Sequence, residues 1–173
     1  MHLPSTSVLL QVIVIGLLTG GVYALMAAGL TLIFGVMKVI NIAHGAFLIL
    51  SAYIAYWLFT WYGLDPLLSI VVSVPVFFVI GMGFQRFALS RIQHDSGLVV
   101  LLTFSLALVL EGFMATEWES TGRSVRTWYT SKVLKVPVGD IAFRLPWVKM
   151  GGFVLAVIAL LVLYWLLTRT NLA

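Results

Sequence analysis

The sequence predicts an all-α fold, a polytopic transmembrane helix bundle with about five spans. The first observation is compositional: 62% of the 173 residues are hydrophobic and 9% are charged, where a soluble domain carries about 25% charge. So much apolar surface exceeds what a soluble core of this length hides, and lipid is the matching solvent. The second is that the apolar residues fall in runs long enough to cross a hydrocarbon layer about 30 Å thick, which takes roughly 20 helical residues. The third is the placing of aromatic residues. Tyr56, Trp57, Trp61 and Tyr62 close one run, and Trp118, Trp147, Tyr164 and Trp165 flank others, as anchors at a membrane interface do.

The first run, 8–34, has no Lys or Arg before it and is too long for the core of a signal peptide, so it is expected to stay as a membrane helix. It is also longer than a straight span requires. Gly20, Gly21, Gly29 and Gly35 either kink it or end it early, leaving 30–42 as a bent or re-entrant connection. The second run covers 43–61. The third, 67–84, contains Pro75, whose missing N–H and ring clash predict a mid-depth kink. The fourth, 98–115, carries one acid, Glu111, and the fifth covers 150–167.

Short-loop charges orient the bundle. With the N-terminus outside, Lys38, Arg86, Arg91 and Arg169 fall inside, and the turn 63–66, free of Lys and Arg, falls outside. The stretch 116–149 runs the other way, with Arg123, Arg126, Lys132, Lys135, Arg144 and Lys149, but it also holds Glu117, Glu119 and Asp140 and long segments weigh less in this rule. The expectation is N-terminus outside.

Several functions are disfavoured at this level. The net charge of +4 is spread between apolar runs with no dense basic tract, which does not suit a nucleic-acid partner. Cysteine is absent, removing disulfides, thiolate metal ligation and a cysteine nucleophile. There is no phosphate-cradling glycine motif and no nucleophile beside a base, and His2, His44 and His94 are too far apart for a local metal motif. No catalytic residue, metal or cofactor is expected.

Small residues recur at every fourth position, one face of a helix, the spacing that lets two backbones approach in lipid. Gly16, Gly20, Ala24 and Ala28 form one stripe; Ser69, Ser73 and Gly81 form a second; Thr103, Ala107, Glu111 and Ala115 form a third. These are expected to be helix-packing seams. Glu111 is costly within an apolar run unless paired or hydrated. It either stands by a permeation path or a contact with another subunit, or reaches interfacial water near its helix end. Asn41, His44 and Gly45 place an amide, an imidazole and a flexible backbone between two membrane runs. They make either a polar turn fixing two helices or a contact on a solute path or gate, since non-helical backbone at membrane depth lines cavities.

From 20 to 58 the chain reads GGVYALMAAGLTLIFGVMKVINIAHGAFLILSAYIAYWL, with GLTLIFGVMKVINIAHG its most specific block. This closely resembles the N-terminal signature of branched-chain amino acid ABC transporter permeases, the LivH-like subunits. Weaker likeness continues through 103–111, GRSV at 122–125 and TRTNL at 168–172. Ala46 stands where the family often has an acid, and Ser51 where it often has Gly. The resemblance implies a permease that is not itself an enzyme, in a bacterial or archaeal inner membrane. It implies a second permease subunit, cytoplasmic ABC ATPases that hydrolyse ATP, and a periplasmic or lipid-anchored solute-binding protein. The implied solutes are branched-chain amino acids; a urea or amide permease and a truncated, non-transporting scaffold are the alternatives. The family's permeases are longer, so the ATPase-docking segment and later helices are expected to be missing from residues 1–173.

Overall fold

In the computed structural model, five helices among the described residues are long and apolar enough to cross a membrane. The structure describes residues 6–118, 122–138 and 141–169. Asn171 and Leu172 of the TRTNL stretch, together with Glu119 and Asp140, lie outside the described residues. The helices are α1 (Thr6–Met37), α2 (His44–Tyr62), α3 (Pro66–Phe84), α4 (Ser96–Trp118) and α5 (Trp147–Arg169). Between α4 and α5 two strands, β1 (Val133–Val138) and β2 (Ile141–Pro146), form an antiparallel hairpin that the apolar pattern did not suggest.

Local chemistry explains the helix ends. α1 passes through all its glycines and stops at Lys38, whose positive φ of 55° breaks the helical path; of the two alternatives for those glycines, the early end near residue 30 does not occur, and the connection follows Met37. Gly63 ends α2 at φ +65°, donating to the Phe59 carbonyl while the Leu64 N–H reaches Leu58. That pair of bonds satisfies carbonyls a helix end leaves open, and the left-handed turn it needs is open to glycine without Cβ strain. Asp65 then caps α3 by accepting from the Leu67 N–H at 2.9 Å, with Pro66 in the first turn. Asp95 caps α4 in the same manner, accepting from Gly97 and Leu98.

α3 continues through Pro75 and does not end at Phe84. A π-helical turn, Gln85–Leu89, extends it, followed by a short helical turn, Ser90–Ile92. In the π turn the Ser90 N–H reaches back five residues to the Gln85 carbonyl, a wider loop that occurs mostly as single turns and often at functional sites.

The chain divides into two compact units, with the boundary inside α1. Ile33–Val125 holds the end of α1, α2, α3 and α4. Its links alternate: those after α1 and before α4 lie at one end, and the Gly63–Asp65 link at the other. Its core is small. Val39, Leu89 and Val99 cluster with Met37, Phe84 and Ile92, and Ala43, Ala46 and Ala107 cluster with Phe47, Leu106 and Leu110. Most other large apolar side chains face outward, as expected where lipid and neighbouring helices take the place of water.

The other unit joins the first part of α1 to the hairpin and α5. Gln11 is its clasp: its amide donates to the Arg144 carbonyl at 2.6 Å and accepts from the Arg144 N–H at 2.9 Å. Antiparallel ladders leave alternate residues with both backbone groups pointing away from the partner strand, and Gln11 takes up both at Arg144. Further along, Lys149 donates to the Thr19 hydroxyl at 3.2 Å, and the Phe153 ring lies against Gly21 so closely that a Cβ there would overlap it. Rising residue numbers on this part of α1 meet rising numbers on α5, so the two helices run parallel.

Candidate functional site

The unit Ile33–Val125 carries an open, groove-like cavity of about 840 Å³. It lies where the end of α1, the start of α2 and the end of α3 with its π turn come together. Its wall is mostly apolar, from Ile33 and Met37 on α1, Phe47 and Leu48 on α2, and Phe77 and Leu89 on the α3 side. Four polar side chains interrupt that wall: Asn41, His44, Ser51 and Gln85.

Local hydrogen bonds hold Asn41 and Ser51. The Asn41 side-chain oxygen accepts from the Ala43 N–H at 3.1 Å, and its backbone carbonyl accepts from the His44 N–H. This is an Asx turn, which Asn favours because its short side chain mimics the backbone. It starts α2 and brings His44 to the cavity as the first helical residue. Behind the turn, the Thr103 hydroxyl on α4 accepts from the Ile42 N–H at 3.3 Å and donates to the Val100 carbonyl at 3.1 Å. Thr103 is fully buried, so it acts as a peg fixing the 38–43 link onto α4. Ser51 donates to the Leu48 carbonyl at 2.7 Å, one turn back along α2. Gln85 opens the π turn but keeps helical φ of −59° and ψ of −49°, its N–H still bonded to the Gly81 and Met82 carbonyls, so the end of α3 brings it to the wall.

The residues singled out in sequence are therefore distributed unequally. Asn41 and His44 share the cavity, and Gly81 of the second small-residue stripe joins its wall. Gly45 lies on the exposed side of α2 with nothing within 4 Å of a Cβ position. Glu111 is exposed on α4, beside the buried line of Val99, Thr103, Ala107 and Met114. Ser69 is buried and donates to the Pro66 carbonyl at 2.6 Å, Ser73 is half-buried, and Thr103 and Ala107 are buried. On α1, Gly16 and Gly20 have nothing within 4 Å, Ala24 is exposed and Ala28 half-buried; the close approach in this chain is one position over, at Gly21. Ser51 and Gln85 were not among the expected site residues. Ser51 read only as a departure from a glycine, and Gln85 fell just beyond the third apolar run.

The cavity end of this unit also carries Lys38, Arg86 and Arg91, on the links and the α3 extension. The opposite end carries an aromatic cluster. Tyr53 stacks on Trp118 at 4.5 Å, Trp57 lies 4.6 Å from Trp61, and the Arg123 guanidinium sits 5.5 Å and 5.2 Å from the centres of Tyr56 and Trp57. One end is thus cationic and polar, and the other is belted with aromatic rings, the asymmetry expected of a membrane-spanning bundle.

Comparison with known proteins decides the family. The model of a family described as "Branched-chain amino acid transport system / permease component" matches residues 12–172. The chain belongs to that permease family. The high-affinity branched-chain amino acid transport system permease protein BraD of Pseudomonas aeruginosa is 29% identical over 127 residues, 68% of this chain and 41% of BraD. The chain thus spans about 41% of the length of that relative. No solved structure matches it. With five apolar helices, this permease-family chain is a multi-pass membrane protein.

Proposed function

We propose that the chain is part of the membrane-spanning subunit of an ATP-binding-cassette importer that moves branched-chain amino acids across the inner membrane. The observation that supports this most is the conjunction of a permease-family match over residues 12–172 with an apolar cavity bearing a few fixed polar groups. A branched-chain amino acid has those two parts. Its aliphatic side chain suits a wall of Phe47, Leu48, Phe77 and Leu89, and its charged ends suit amide, imidazole and hydroxyl groups, a few of which suffice to orient a solute in an apolar pocket.

Asn41, His44, Ser51 and Gln85 are the residues that contact the solute. Gly45 lets the start of α2 adjust as the path opens and closes, and Glu111 meets a neighbouring subunit. The stripe of Gly16, Gly20 and Ala24, all exposed, and half-buried Ala28 packs against a helix outside these 173 residues. The N-terminus faces outward, so the cavity opens toward the cytoplasm beside Lys38, Arg86 and Arg91. A second permease subunit completes the path, ATPases supply the energy, and a solute-binding protein delivers the amino acid from outside.

The test is uptake of radiolabelled leucine in cells whose own branched-chain transporters are deleted, supplied with the complete permease gene and its partners. The proposal expects ATP-dependent leucine uptake, and Asn41→Ala or Gln85→Ala should reduce it about tenfold if each group loses one hydrogen bond to a charged end of the solute. Uptake of urea in place of leucine, or leucine uptake at wild-type rate in both variants, would contradict it.

A further inference from the structure

The hairpin holds a feature that permeation does not use. Its register places Lys135 directly opposite Arg144. Both are exposed, and the pair is of the kind not bonded to each other across the ladder, because the Arg144 N–H and carbonyl are committed to Gln11. Such pairs hold their side chains closest together, and like charges facing there destabilise the sheet. Among the described residues neither side chain has an ion-pair partner. The nearby Lys132 is occupied differently: its ammonium lies 4.3 Å from the centre of the Trp128 ring, and its carbonyl accepts from the Trp147 N–H at 3.1 Å.

Depth identifies what neutralises the pair. α5 has 23 residues, about 35 Å of helix against a hydrocarbon core of about 30 Å. Trp147 at its start therefore lies within about a turn of the edge of that core. Pro146, the residue before it, pairs with Val133, and Lys135 and Arg144 are two residues further along, about 7 Å at the rise of a strand. The headgroup layer on each side is about 5–7 Å thick. A hairpin that continues the line of α5 carries the two cations into that layer, and half-exposed Trp147 and largely exposed Trp128 suit interface anchors there.

We propose that Lys135 and Arg144 form a site for the phosphodiester of an anionic membrane lipid. The guanidinium fork takes two phosphate oxygens and the ammonium a third contact, which turns a repelling pair into a bridged one. Gln11 holds the Arg144 backbone in place, so the site is pre-set before lipid arrives.

Native mass spectrometry of the full chain in detergent, titrated with phosphatidylglycerol and separately with phosphatidylcholine, tests this. The wild type should retain phosphatidylglycerol preferentially, and Arg144→Gln, which leaves the Gln11 bonds intact because they use only backbone, should weaken it roughly fivefold. Lys135→Glu is the decisive variant, since its carboxylate would face Arg144 and favour the hairpin while removing the site. It should keep or improve protection of the Arg144 N–H from hydrogen exchange and lose phosphatidylglycerol retention by roughly 25-fold. Equal retention by wild type and Lys135→Glu would overturn the proposal. So would competition by millimolar inorganic phosphate, which would make the ligand a soluble anion.

Discussion

At the scale of single residues, the buried hydroxyl of Thr103 does more than its place in a small-residue stripe suggests. It joins α4 to the link that presents Asn41 and His44, so Thr103→Val, nearly equal in volume, would leave the Ile42 N–H without its partner. A cost of about 1–3 kcal/mol is expected, read as a lower thermal midpoint in lipid nanodiscs together with reduced leucine uptake. Thr103→Ser should restore both. Ala46 makes the opposite kind of case. The resemblance pointed to an acid at this position in many relatives, but here Ala46 is 2% exposed and packed with Ala43 and Ala107. Ala46→Glu should therefore fail to assemble stably, because a carboxylate in that seam is both too large and unpaired; a well-folded variant would show that the α2–α4 contact opens readily. Glu111→Gln should insert normally yet alter assembly or uptake, and wild-type behaviour in both would mean that the residue merely reaches interfacial water. Asn41 and His44 were legible in sequence because polar residues between two apolar runs stand out. Gln11 was not, although an amide inside an apolar run signals a buried partner; its partner is 133 residues away, which periodicity does not register.

At the scale of elements, the helices were legible and the hairpin was not. Runs of apolar residues mark spans within a few residues, since lipid demands satisfied backbone groups throughout a crossing. The ends were less clear, and α3 shows why. The apolar run stops near Phe84, but the helix persists through Gln85–Leu89 as a π turn, and cavity contact at Gln85 and Leu89 depends on that extension. The strands β1 and β2 carry Pro137, Lys135 and Arg144, so charge masked their alternation. Helix packing offers a paired test. Gly21→Leu should collide with Phe153 and loosen α1 from α5 by about 1–3 kcal/mol, seen as faster hydrogen exchange at Arg144. A Cβ at Gly20 meets nothing within 4 Å among the described residues, so Gly20→Leu should leave that exchange unchanged and lower assembly with a partner helix instead. If Gly20→Leu alters neither, the exposed stripe faces lipid and not a subunit.

For the whole molecule, the central claim is that the cavity between α1, α2 and α3 lies on the solute path. The absence of cysteine from these 173 residues makes a direct measurement available. Ser51→Cys places a single thiol on the cavity wall, and leucine uptake is followed before and after a membrane-permeant maleimide, with the unsubstituted permease treated in parallel. The account predicts that modification abolishes uptake in the Ser51→Cys protein, leaves the unsubstituted protein unaffected, and is slowed by leucine. Full modification of the thiol with leucine uptake still at its starting rate would contradict it.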